Sequence, residues 1–402
     1  MANVKLLLDA KRIRLAQVDK TIEELQRVQK TLQDERADIQ AYLDAYTYPI
    51  LSLPTEITSE IFLQTLPSPP QAPRLCGMSS PQKLLAVCSQ WRRIALATHG
   101  LWHNISAVES NPWPSNDASG LPLTITIRSW IGRCGSLPLS LSWTRGVDIH
   151  SDASPLLEIL PLSERWRSWS FKLDRPRLPL MSMPTSHLES LDLVCFREHE
   201  EPPLRLGETP RIRSVALWNV RFDADTLAWG NVTRLYLNEV SMTSVLPVLL
   251  HATGLVHCRL SVTAGSWDGR IRAPLPLLET LVLDYYSTDG LDIDPPSVLA
   301  SALDVFTLPS LRRLQLRKEF LPAENPLRYL KSFLQRSKCQ LQILQLSSAL
   351  ANTALPEVQA TFPKIGTVRI LRRYSPYKTG DWIHSWIQEE WWAEKASSSL
   401  AA

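Results

Sequence analysis

The densest cluster of ionisable side chains in this 402-residue chain is Glu198-His199-Glu200-Glu201. A histidine among carboxylates is the raw material of general acid–base catalysis or of a metal site, provided the fold converges the groups on one point. These four residues are consecutive and run straight into Pro202-Pro203, so they read as a solvated loop. No other stretch has the spacing of a reaction centre. There is no Gly-x-Ser-x-Gly elbow, no glycine-rich phosphate cradle and no His-Glu-x-x-His. Fourteen glycines leave little room for glycine-built cofactor sites. The cysteines at 76, 88, 134, 195, 258 and 339 form no Cys-x-x-Cys pair and no Cys/His ligand cluster, so they read as reduced, buried thiols. The expectation is a protein that is not an enzyme and needs no metal or cofactor.

Composition narrows the partners. The 43 basic and 40 acidic residues nearly cancel, which argues against nucleic acid or an anionic membrane as the main partner. No apolar run approaches the ~18 residues of a membrane span. The opening Met1-Ala-Asn-Val-Lys-Leu-Leu-Leu-Asp9 is too short an apolar run for a secretory signal. A cytoplasmic or nuclear location is therefore expected, and the sequons Asn104-Ile-Ser and Asn231-Val-Thr read as chance matches. What remains is recognition of other proteins, and the elements that could present it follow along the chain.

Residues 1–45 contain no Pro or Gly and are rich in strong helix formers. Leu8, Leu15, Val18, Ile22, Leu25, Leu32, Ile39 and Leu43 fall on alternating steps of three and four, interrupted by Lys11, Gln29 and Arg36. That is a coiled-coil stripe rather than a broad amphipathic face. It predicts either self-association through residues 8–43 or a long helix packed back on its own chain. The short basic cluster Lys11-Arg12-Ile13-Arg14 is too small for a DNA-contacting region.

After Tyr48 the character changes. Leu53-Pro54-Thr-Glu56-Ile57 begins a helix, with Pro54 suited to its first turn and Glu56 placed where the dipole favours negative charge. Ile57, Ile61 and Phe62 follow along one side. Pro67-Ser-Pro-Pro-Gln-Ala-Pro73 ends that helix. Ser80-Pro81 can cap the next, whose apolar face is Leu84, Val87, Cys88, Trp91, Ile94 and Ala95. The series Leu53-Pro54-x-Glu56-Ile57, Ile61-Phe62, Val87-Cys88-x-x-Trp91-Arg92 and Leu101-Trp102 resembles an F-box over residues 49–106. A proline-rich insertion at 67–79 is longer than in the commonest F-boxes. The whole layout is similar to a large group of F-box proteins from mushroom-forming fungi. The resemblance implies docking on the Skp-type adaptor of a cullin–RING ubiquitin ligase through Leu53, Pro54, Ile57, Ile61, Phe62, Val87 and Trp91. It implies a substrate-recognition subunit that scaffolds ubiquitination and does no chemistry itself. The alternative reading is a structural or self-associating scaffold outside any ligase.

From about residue 121 an apolar-x-x-apolar-x-apolar unit is expected to make short strands. It recurs from Leu188-Leu191-Leu193 to Ile365-Val368-Ile370 at 20- to 33-residue intervals, and Trp166-Trp169-Phe171 fits the same template. This resembles a leucine-rich repeat. The fourth and sixth positions of each unit would point inward from stacked strands. An Asn or Cys three residues after the last strand leucine, usual in that family, is missing, which predicts an irregular array; an ordinary α/β domain with parallel strands is the alternative. The positions between the inward ones should line an exposed face: Asp192, Ala216, Tyr236, Arg259, Val282, Gln315, Gln345 and Arg369. Of these, Asp192, Tyr236, Arg259, Gln315 and Arg369 are the candidate contacts for a protein substrate. The tail around Trp382, Trp386, Trp391 and Trp392 reads as a capping helix.

The expected fold is mixed α+β or α/β. It comprises a heptad helix (1–45), an F-box module (46–106), a linker (107–120), an irregular leucine-rich-repeat-like solenoid with a parallel sheet (121–376), a C-terminal capping helix (377–395) and a disordered tail (396–402).

Overall fold

The computed structural model describes residues 2–45, 49–67, 72–77, 79–109, 123–145, 160–173, 185–195, 203–204, 206, 208–263, 271–285, 297–347 and 355–371. The expected capping helix and tail, the Glu198-to-Glu201 cluster and most of the 107–120 linker lie outside the described residues. The chain divides into two compact units, Met1–Ile61 and Phe62–Ala402.

In the first unit, α1 runs unbroken from Ala2 to Ala45, as its freedom from Pro and Gly dictates. Ion pairs Arg12–Asp9 (3.1 Å) and Arg27–Glu23 (3.9 Å) join turns on its surface. Every apolar residue of the heptad stripe is exposed, from 40% at Val18 to 63% at Leu25. A short 3-10 turn, Pro49–Ser52, leads into α2 (Thr55–Gln64), and the division between the units falls inside α2.

The second unit carries α3 (Ser89–Ala97), β1 (Asn104–Glu109), α4 (Leu123–Arg133), β2 (Leu139–Arg145), β3 (Trp166–Leu173), β4 (Ser190–Cys195) and β5 (Ser214–Trp218). It continues with β6 (Arg234–Val240), α5 (Met242–His251), β7 (His257–Val262), β8 (Ala273–Pro274), β9 (Thr280–Tyr285) and β10 (Phe306–Thr307). Its last described elements are β11 (Arg313–Leu316), α6 (Pro326–Ser337), β12 (Ile343–Ser347), α7 (Leu355–Thr361) and β13 (Thr367–Leu371).

Eleven of these strands form one sheet, ordered β1-β2-β3-β4-β5-β6-β7-β9-β11-β12-β13, and every pairing is parallel. β8 and β10 form a separate two-stranded parallel pair. Register explains the repeat. Trp169, Leu191, Val215, Leu235, Cys258, Leu281, Leu314, Leu344 and Val368 pair strand to strand as one row. Two residues on, Phe171, Leu193, Leu217, Leu237, Leu260, Leu283, Leu316, Leu346 and Ile370 make a second. Side chains alternate across a strand, so both rows share one face and bury together in one continuous core. Where the row reaches β1–β3 its residues become tryptophans. Trp102, Trp130, Trp143, Trp166 and Trp169 are fully buried, and Trp102–Trp130 and Trp166–Trp169 meet edge to face at 5.2 and 4.5 Å.

Four expectations need correction. First, the F-box stretch is not a free-standing plug. Phe62, Leu75, Leu84, Ile94, Leu101 and Trp102 belong to the same core as the sheet. Its last residues, Asn104 to Ser106, are already strand β1, and Arg74 bridges to Ser106. Second, Leu123–Arg133 is helical where short strands were expected; Ile127 and Trp130 bury one side of it, a helical spacing that a strand reading hides. Third, the helix expected from Pro81 onward breaks in two, with a 3-10 turn over Pro81–Ala86 before α3. Fourth, the opposite face of the sheet is buried. Asp192, Ala216, Tyr236, Arg259, Val282, Gln315 and Gln345 are all at or below 6% exposure, and Arg369 is half-buried. Strand alternation fixes which face a residue takes. It does not fix whether that face meets solvent.

Candidate docking site

In the first unit the Leu53-Pro54 start sits directly ahead of α2. The Pro54 carbonyl accepts from the Thr58 backbone N–H and from its hydroxyl, both at 3.1 Å, closing the first turn. Proline fits there because its missing N–H would have no partner in a first turn. Pro54 is exposed and Leu53 half-buried. Ile57 and Ile61, one helical turn apart on α2, are 51% and 40% exposed. A pair of β-branched aliphatics held in water on one helix face costs solvation and contributes nothing to this unit's packing. Ile50, in the preceding 3-10 turn, is exposed as well; it escaped the motif because the Leu-Pro signature begins after it.

In the second unit the motif residues divide by role. Phe62 is buried and packs on half-buried Trp91, ring centroids 4.9 Å apart. The Cys88 thiol caps α3 by accepting from the Trp91 backbone N–H at 3.4 Å. Arg92 Nε donates to the Leu85 carbonyl at 2.8 Å, tying α3 to the 3-10 turn before it. Trp102 Nε1 donates to the Ala95 carbonyl at 2.9 Å and so closes the far end of α3. Thus Cys88, Trp91, Arg92 and Trp102 hold this helix together. Val87 stands at the break between the two helices and is 57% exposed. Ser80, buried, both caps the 3-10 turn by accepting from Gln82 N–H and donates to the Leu75 carbonyl. Leu96 is an exposed aliphatic on α3 that periodicity missed, since it lies one residue beyond the apolar face.

Of the residues expected to meet a substrate, Tyr236 and Arg259 come together, but in the interior. Arg259 donates to Asp284 Oδ2 from Nη2 at 2.9 Å and from Nε at 3.1 Å, and its guanidinium lies 5.0 Å from the Tyr236 ring centroid. The Tyr236 hydroxyl donates to Asn238 Oδ1 at 3.2 Å. Further along the face, Ser170 donates to Asp192 Oδ2 at 2.9 Å. Gln315 and Gln345 are register neighbours, and neither amide atom of Gln345 has a hydrogen-bond partner. Asp284 was not singled out in the sequence. Its signal was register: Val282 pairs with Arg259, so Asp284 lies two residues on, along the same face.

The ionisable groups nearest this region are inert. Burial pushes the Cys258 thiol far above its ordinary range. Burial also lowers the His257 imidazole, against the raising effect of the nearby Glu279 carboxylate. Burial raises Cys134 too, although Arg165 Nη2 donates to its sulfur at 3.1 Å. Among the described residues, no three His, Cys, Asp or Glu side chains gather as metal ligands would, and no helix is long and apolar enough to cross a membrane. In comparisons with family models, curated proteins and solved structures, no match to the chain was found.

Proposed function

We propose that the chain is an F-box adaptor, the substrate-recognition subunit of a cullin–RING ubiquitin ligase, and that it acts by binding alone. The observation that carries this reading is the solvent exposure of Pro54, Ile57 and Ile61 at motif positions along the start of α2. Apolar side chains displayed on a capped helix are what a Skp-type adaptor's apolar C-terminal helices would cover. Val87, exposed between two short helices of the second unit, supports it from a second motif position. Phe62 and Trp91 serve the reading as supports rather than contacts, since each is largely spent on its own core. The exposed surface of the sheet unit, not the buried row around Arg259, is then left for a protein substrate. The contribution to ubiquitination is a raised effective concentration of substrate beside a separately supplied catalytic subunit.

Co-purification with a Skp-type adaptor tests the proposal. The unaltered chain is expected to hold the adaptor through gel filtration. Leu53→Ala with Pro54→Ala, or Ile57→Asp, is expected to weaken binding at least tenfold by titration while tryptophan emission stays unchanged. An unaltered chain that ignores the adaptor ends the reading.

A further inference from the structure

The heptad stripe of α1 is an apolar face with no cover, and its polar residues say what would cover it. The rise of 1.5 Å per residue makes the stripe from Leu8 to Leu43 about 54 Å long. A second helix laid along it would cover on the order of 1,000 Å² in total, near the lower bound for a specific interface. We infer that the occupant is the same helix of a second copy of this chain, parallel and in register.

The heptad positions decide the direction. Leu8, Leu15, Ile22, Gln29, Arg36 and Leu43 take one core position, a; Lys11, Val18, Leu25, Leu32 and Ile39 take the other, d. In a parallel pair each layer meets itself. Gln29 then faces Gln29 of the partner subunit, and two amides satisfy each other inside an otherwise aliphatic seam. An antiparallel pair sets a against d instead. Centred on the stripe, it puts Gln29 opposite Val18 twice and Arg36 opposite Lys11 twice. Displaced by one heptad, it still buries Gln29, Arg36 and Lys11 each against an aliphatic residue.

The flanks agree. In parallel register Arg14 lies beside Asp19 of the partner subunit, and none of the other flanking pairs brings like charges together. Arg36 meets its own copy across the axis, but Glu35 of the partner subunit borders the same layer, and both Arg36 and Lys11 have stems long enough to carry their charge out to water. Matched amides fix the register. The three polar layers keep the dimer weak enough to depend on concentration.

Sedimentation equilibrium of the full chain tests this. The expected result is a mass that rises with concentration from one chain to two and no further. Ile22→Asp with Leu25→Asp should return a single-chain mass at every concentration. Leu15→Cys should cross-link to its own copy under mild oxidation, beyond what the parent chain shows. In either antiparallel arrangement residue 15 faces residue 32 or 39, so no such link forms. All fourteen tryptophans lie beyond residue 61, so unchanged emission in these variants confirms that the second unit is intact. A single-chain mass at all concentrations, a trimer, or a dimer that Leu15→Cys fails to link each overturns the proposal.

Discussion

Two regions of this chain carry a regular apolar pattern, and they end in opposite conditions. The leucine rows of β3 to β13 are buried almost completely, while the heptad stripe of α1 is exposed along its whole length. The local rules are equally well obeyed in both. The difference is in what each pattern can stack against. A strand's apolar residues find their partners in the next repeat of the same chain, 4.7–4.9 Å away in a sheet, so each added repeat completes the core of the one before. A single straight helix cannot bury its own stripe, because residues on one face of a helix all point the same way. An unsatisfied periodic face is therefore a statement about a partner, and the same logic applies on a smaller scale to Ile57 and Ile61.

The contrast can be broken most forcefully on the second face of the sheet. Asp284→Ala leaves the fully buried Arg259 guanidinium without its carboxylate and is expected to cost about 3–5 kcal/mol in denaturant unfolding. The pair replacement Arg259→Met with Asp284→Leu should recover most of that loss, because an apolar pair of similar volume needs no charge compensation. A double variant as unstable as the single one would show that the charges themselves specify this face.

Equivalent truncations in the two patterns sharpen the comparison directly. Leu260→Ala, in the second buried row, is expected to cost about 2–5 kcal/mol. Leu25→Ala on α1 is expected to leave tryptophan-reported unfolding of the sheet unit within about 0.5 kcal/mol of the parent. Equal losses would mean that the stripe is structural within the single chain.

The smallest effect is a pH dependence. His257 in β7 has its imidazole pKa lowered from 6.5 by burial. The unfolded chain therefore holds that proton more tightly than the folded one. The stabilisation is present above about pH 6.5 and is lost as the pH falls below it. His257→Gln should flatten this slope in denaturation measured across mildly acidic pH.

Much of the molecule was legible in its residues. The helix composition of 1–45, the strand template from Trp166 to Ile370 and the capping role of Ser80-Pro81 follow from rules that act over a few residues, and those rules operate the same way in any fold. The helical stretch around Leu327 to Leu334 became α6 for the same reason. The failures share a cause. Leu123–Arg133 was assigned by its place before the repeats rather than by its own spacing. Cys88 looked like one more apolar residue on a helix, when its thiol ends one helix and begins the next. Sequence alone determined the apolar periods, and so which residues stand together on a face. Tertiary structure alone decided which faces are covered: it buried Arg259 with Asp284, drew Phe62 to Trp102 into the sheet's core and left the α1 stripe in water. Covering a face needs a second surface that is distant in the chain, and no rule of local spacing contains that information.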